Sequence, residues 1–183
     1  MNKRLFVGID LPEEICDQLK PLCCGLPGAR WVPLEQLHLT LCFIGETDGS
    51  TFLDIKEALS EIVAAPFSLQ LRGVGAFPPR GQPRIVWVGV EKCEPLMMLQ
   101  RKITTRLFQL GLSLENRKYS PHLTLARLHQ TPPARVGKFF IEHSLFALPP
   151  FAVDRFILYS SVLGRKGSIY SMEQAYRLVA ADA

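Results

Sequence analysis

Leu37-His38-Leu39-Thr40-Leu41 and Pro121-His122-Leu123-Thr124-Leu125 carry two copies of one short pattern, and their reading decides the fold. The histidines stand 122 − 38 = 84 positions apart in a chain of 183 residues, so one copy falls in each half. Each copy sits in a run that predicts a β-strand, Leu37 to Ile44 and Pro121 to Leu128. Successive side chains of a strand point to opposite faces. His38 and Thr40 therefore share one face and Leu39 and Leu41 the other, and His122 and Thr124 repeat this against Leu123 and Leu125. Two such strands facing one another make a cleft with two imidazoles and two hydroxyls, anchored from behind by leucines.

Outward from these strands the chain alternates helix and strand signals. Lys3 to Ile9 reads as a strand. Asp10-Leu11-Pro12-Glu13 reads as a helix start with Asp10 at the N-cap, and Pro21 ends or kinks that helix. Cys24 to Pro33 reads as a loop. A second helix is predicted from Thr51 to Ala65, stopped by Pro66, with Phe52, Ile55, Leu59 and Ile62 on one face. Phe67, Leu69 and Leu71 alternate with polar residues as in a half-buried antiparallel strand. Ala76 to Pro83 reads as a loop, and Arg84 to Val90 as a central strand.

A third helix runs from Glu94 to Leu110 and is capped by Gly111. Thr131 to His143 is at most a short helix. Phe151 to Ser161 and Ile169 to Leu178 read as strands around a turn at Gly164 to Gly167. The sum is an α+β fold of mainly antiparallel strands, taken as a single domain over 1–183. Beyond the tetrapeptide no internal repeat is visible.

Hydrophobic residues make up 48% and charged residues 21%, the balance of a soluble globular domain. The apolar runs are far shorter than a membrane span. The N-terminal apolar stretch ends at Asp10 without a cleavage-like segment, so no signal peptide is expected. The five cysteines form no Cys-x-x-Cys pair and leave one over, which fits reduced thiols and a cytoplasmic location. A net charge of +4 tolerates an anionic partner without demonstrating one, and a monomer is the default expectation.

Histidine can be neutral at one position and protonated at another near neutral pH. A pair across a phosphodiester divides acid and base work, each contribution being worth about 10²–10⁴-fold in rate. Thr40 and Thr124 would bond the nonbridging phosphate oxygens. A zinc site wants three or four closely spaced ligands, and neither tetrapeptide supplies an acidic residue or a second nearby histidine. No metal and no cofactor is therefore expected. Cys42 falls on the His38 face by alternation, yet is read as a small packing residue. His129 and His143 lack the motif and are read as surface residues.

The paired His-x-Thr-x blocks resemble the two-histidine (2H) phosphoesterase superfamily, in its LigT-like branch of RNA 2′,3′-cyclic phosphodiesterases, also called 2′-5′ RNA ligases. The likeness extends to Arg4-Leu5-Phe6-Val7-Gly8-Ile9-Asp10-Leu11-Pro12, to Phe43-Ile44-Gly45-Glu46 after the first block and Ala126-Arg127 after the second. It also takes in Leu158-Tyr159-Ser160-Ser161-Val162-Leu163 with Gly167-Ser168-Ile169-Tyr170. The resemblance implies a bilobal fold with pseudo-two-fold symmetry and one histidine strand per lobe. It implies metal-independent hydrolysis of an RNA 2′,3′-cyclic phosphate to a 2′-phosphate, one histidine protonating the departing 3′ oxygen and the other activating water.

By position His38 is assigned as the acid and His122 as the base. Arg127 matches a family arginine near the substrate phosphate or nucleoside, and Phe43 is either the match of a family aromatic that stacks on a base or a core aromatic. Strict alternation turns both toward the core, so a bulge or strand end is required. Arg72, Arg80, Arg84, Arg117, Lys118, Arg165 and Lys166 are candidate contacts to flanking phosphates or ordinary solvated charges. The alternatives are reversible 2′-5′ ligation by the same groups, or a nucleotide-binding module without turnover. The natural RNA, tRNA fragments included, is not legible in these residues.

Overall fold

The computed structural model describes residues 2–115, 117–164 and 167–180. Along the chain these form β1 (Lys3–Asp10), α1 (Glu13–Leu19), β2 (Ala29–Trp31), β3 (His38–Thr47) and α2 (Gly49–Ser60). Then come β4 (Phe67–Leu69), β5 (Leu71–Phe77), β6 (Ile85–Val90), α3 (Glu94–Gln109), β7 (His122–Leu128) and α4 (Pro133–Glu142). The chain closes with β8 (Phe151–Val153), β9 (Arg155–Gly164) and β10 (Gly167–Arg177).

One sheet runs β10-β9-β1-β3-β7-β6-β5, with β2 added beside β7, while β4 and β8 pair separately. Its pairings are antiparallel. The order reveals a repeat that the sequence hides. The run β1-α1-β3-α2-β4-β5 is matched by β6-α3-β7-α4-β8-β9, each motif strand following a strand and a helix. The halves are interleaved: β5 of the first pairs with β6 of the second, and β9 of the second pairs with β1 of the first. Each lobe is thus closed by a strand from the other half. The two motif strands meet at the centre, where Leu39 pairs with Leu123.

The leucines behind the motif are the reason those strands hold still. Leu39, Leu41, Leu123 and Leu125 are buried in one cluster with Leu96, Leu99, Ile103 and Leu107 of α3. These α3 residues recur at three- and four-residue spacing, so one helical stripe faces the sheet. Burying each such side chain contributes about 1.5–3 kcal/mol.

Several expectations are corrected. Asp10 is the last residue of β1, not a helix cap; Pro12 occupies the N-cap of α1 and no side chain caps it. The Asp10 carboxylate instead accepts from Arg155 of β9, whose Nε lies 3.3 Å from Oδ1. Pro21 ends α1 in a single 3₁₀ turn, as its missing N–H requires. The helix α2 stops at Ser60, short of the expected Ala65, and Ala64 forms an antiparallel bridge with Val179 instead. The start of α2 is fixed by Asp48, whose carboxylate accepts the Thr51 N–H at 2.8 Å. The stretch read as a loop from Cys24 to Pro33 contains β2, and β5 continues through the predicted loop start to Phe77. The candidate turn residues Arg165 and Lys166 lie outside the described residues.

Candidate active site

The Leu39–Leu123 pair fixes the geometry of the polar face. In an antiparallel ladder, one step either way sets His38 against Thr124 and Thr40 against His122, all four on the face opposite the leucines. Continued in that register, the ladder places the side chains at the corners of a square, with imidazoles on one diagonal and hydroxyls on the other. Diagonal neighbours of an antiparallel ladder lie about 7–8 Å apart, a gap that a phosphate group fills. The four residues are half-buried, as an open cleft demands.

Both histidines are oriented in the same way. Nδ1 of His38 lies 2.8 Å from the carbonyl of Gln36, and Nδ1 of His122 lies 2.7 Å from the carbonyl of Ser120. A carbonyl can only accept, so Nδ1 carries the proton in each ring. Nε2 is left to act on a substrate, as acceptor when the ring is neutral and as donor when it is charged.

Aromatic rings from neighbouring strands hold each imidazole. His38 packs against Phe6 at 4.8 Å and edge-on against Tyr170 at 5.0 Å, between centroids. His122 stands edge-on to Phe77 at 4.9 Å and is 6.3 Å from Trp87. Burial among these groups lowers the His38 pKa below its ordinary 6.5, opposed in part by the bond to Gln36. A second tie crosses the lobes: the Tyr119 hydroxyl donates to the Thr40 carbonyl at 3.0 Å. Burial raises the pKa of that phenol, which keeps its proton for this bond.

The required bulge is present, and present twice. Between the pairs Gly8–Thr40 and Val7–Cys42, Leu41 is passed over; between Trp87–Thr124 and Val86–Ala126, Leu125 is passed over. Each strand thus buries two consecutive residues, Leu41 with Cys42 and Leu125 with Ala126. Alternation resumes with the phase reversed. Phe43 and Arg127 return to the face of the histidines, in equivalent positions of the two halves. Phe43 is 49% exposed, with its ring 5.7 Å from Phe6, and Arg127 is exposed within β7 itself. Cys42, placed on the His38 face by alternation, is turned to the leucine side, where burial pushes its thiol pKa up to about 11.

Arg72 pairs with Glu91 and Arg117 with Glu115. Arg80, Arg84 and Lys118 are exposed, as is His129, while His143 is half-buried with its ring 4.5 Å from that of Phe139. Arg30 went unnoticed in the sequence because its stretch has only loop signals. It pairs directly with Arg127 across the β2–β7 ladder. A cavity of about 560 Å³ adjoins His38, walled by Tyr159, Tyr170 and Met172 and bordered by Asp10, Glu13 and Glu35. Among the described residues no three His, Cys, Asp or Glu side chains converge as metal ligands. None of the described helices is long and apolar enough to cross a membrane.

Two symmetric His-x-Thr strands meeting at the centre of one sheet define a two-histidine phosphoesterase fold. The chain belongs to the LigT-like phosphoesterase family, whose model matches it twice, over residues 9–87 and 88–170. The double match follows the interleaved repeat of the sheet. An RNA 2′,3′-cyclic phosphodiesterase of Archaeoglobus fulgidus is 35% identical over 170 residues, covering 91% of this chain and 96% of the relative. One of Thermotoga maritima is 37% identical over 175 residues, covering 92% of each. Among solved structures, a Thermus thermophilus protein superposes with a TM-score of 0.84 at 27% identity, over 98% of this chain and 100% of that one. E. coli LigT complexed with 3′-AMP gives 0.79 at 28% identity, over 97% and 99%.

Proposed function

We infer that this chain hydrolyses RNA 2′,3′-cyclic phosphate ends to 2′-phosphates by paired histidine acid/base catalysis. The observation that carries the reading is the square of His38, Thr40, His122 and Thr124 around the Leu39–Leu123 pair, with each ring tied through Nδ1 and its Nε2 left for the substrate. The named activity of the Archaeoglobus and Thermotoga relatives supports it.

Phosphorus sits between the diagonal imidazoles. His122, as neutral imidazole, takes a proton at Nε2 from the attacking water. The P–O3′ bond opens on the opposite side, and protonated His38 delivers its Nε2 proton to the departing 3′ oxygen, leaving the phosphate on the 2′ oxygen. Burial disfavours the charged form of His38, so this ring gives its proton up readily, while the anionic substrate beside it favours reloading. The Thr40 and Thr124 hydroxyls donate to the nonbridging oxygens, where negative charge grows. Arg127 offers positive charge to the substrate from beyond Thr124 on the same face, and Phe43 offers an exposed ring for a base to stack on. Joining of ends through a 2′-5′ linkage uses the same groups in reverse.

Product identity tests the reading. Hydrolysis of a short RNA cyclic phosphate in the presence of the enzyme, followed by ³¹P NMR, is expected to show the 2′-phosphomonoester. Formation of the 3′-phosphomonoester, or no hydrolysis, would contradict it.

A further inference from the structure

Arg30 of β2 and Arg127 of β7 are direct partners in an antiparallel ladder. Such partners share a face, and the bulge has returned Arg127 to the face of His122 and Thr124. Both arginines are exposed, and neither joins an ion pair among the described residues. Like charges directly opposite one another weaken a sheet. A local choice that costs stability without internal compensation points to a functional contact. An anion between the two guanidinium groups removes the repulsion, and their planar forks match phosphate oxygens.

The position of the pair says which anion. The reacting phosphorus lies level with Leu39 and Leu123. Counted on β6, whose Val88 faces Leu123 and whose Ile85 faces Arg127, Arg127 lies three steps or about 10 Å from that level, and Arg30 lies beside it. One nucleotide of sugar-phosphate backbone together with the length of an arginine side chain spans that displacement. The opposite exit carries net negative charge: the cavity beyond His38 is bordered by Asp10, Glu13, Asp17 and Glu35. While Asp17 pairs with Lys20 and Asp10 with Arg155, Glu13 and Glu35 join no ion pair among the described residues. A polyanion leaving the square is repelled there and attracted over β2 and β7.

We propose that Arg30 and Arg127 form a second phosphate site, which holds the phosphate on the 5′ side of the nucleotide carrying the cyclic phosphate. The enzyme is then built for ends of RNA strands in preference to isolated nucleoside cyclic phosphates. The proposal rests on the reading of the histidine square as the cyclic-phosphate site and adds the residues that hold the neighbouring phosphate.

The test compares adenosine 2′,3′-cyclic phosphate with its 5′-phosphorylated form, in the wild type, Arg30→Ala and Arg30→Lys. In the wild type the 5′-phosphate is expected to raise kcat/KM roughly tenfold or more, chiefly through KM, as a charge-assisted hydrogen bond would. The advantage should shrink as salt rises. In Arg30→Ala the ratio between the two substrates should fall toward one, with Arg30→Lys retaining part of it. Equal kcat/KM for both substrates in the wild type overturns the proposal without any variant having to fold. So does an equal loss on both substrates in Arg30→Ala, which would place Arg30 on the reacting phosphate. Turnover of neither substrate by the wild type marks failure of the cyclic-phosphodiesterase reading itself, and this proposal falls with it.

Discussion

Leu39 of β3 and Leu123 of β7 face each other where the two halves of the sheet join, and the catalytic candidates flank that pair on the opposite face. Stability and chemistry therefore occupy opposite sides of the same strands. Leu39→Ala or Leu123→Ala is expected to cost about 2–5 kcal/mol in urea unfolding. His38→Ala and His122→Ala should remain folded at room temperature while losing activity. Histidine variants that unfold as readily as the leucine variants would contradict the cleft assignment.

Tyr119 ties the approach to β7 onto β3 through the Thr40 carbonyl. Tyr119→Phe removes one neutral hydrogen bond and should lower stability by about 0.5–1.5 kcal/mol. With the hydroxyl of Thr40 less firmly placed, kcat should fall more than KM rises. A stability loss with unchanged kcat would show that the bond only braces the lobes.

The two threonines can be tested by isosteric loss of the hydroxyl. Thr40→Val and Thr124→Val keep shape and strand preference but remove a donor to a charged oxygen. Each should lower kcat/KM roughly tenfold or more, with the midpoint of thermal unfolding little changed. Wild-type kinetics in either variant would remove that hydroxyl from the mechanism.

His38 makes stability depend on pH. Burial holds its folded pKa below the ordinary 6.5, so the unfolded chain binds this proton more readily. The contribution is fully present above about pH 6.5 and is lost as pH falls through the folded value. Denaturation of the wild type and His38→Gln from about pH 8 to about pH 5 isolates it, because other groups cancel in the difference. The wild type should lose stability relative to the variant on acidification; a constant difference contradicts the assignment. The same shift should place the alkaline limb of kcat/KM below about pH 6.5, since a proton donor is lost as pH rises.

The repeated tetrapeptide made the central strands and the polar square legible, because period-two alternation is a local property. The α+β class and the helix α3, whose apolar stripe is long, were legible for the same reason. Local reading failed where tertiary pairing overrode the local signal. Strict alternation placed Cys42 in the cleft and turned Phe43 and Arg127 away; two equivalent bulges reverse all three. The trace they leave in the sequence is a pair of adjacent small or apolar residues, Leu41-Cys42 and Leu125-Ala126, at matching positions. Arg30 was missed for a related reason. The short stretch between Gly28 and Pro33 has no strand period of its own, and β2 exists because β7 offers it an edge. Asp10 looked like a helix cap because the sequence before Pro12 fits one, whereas Arg155, 145 residues away, claims its carboxylate.

Opening of a cyclic phosphodiester by two histidines, without a metal, is tested most directly by hydrolysis of a short RNA ending in a 2′,3′-cyclic phosphate. The reaction is run with EDTA present, by the wild type, His38→Ala and His122→Ala. The wild type should turn over undiminished by EDTA, and each folded variant should lose about 10²–10⁴-fold in kcat. Loss of wild-type turnover in EDTA, or near wild-type rates in either histidine variant, would contradict the two-histidine mechanism.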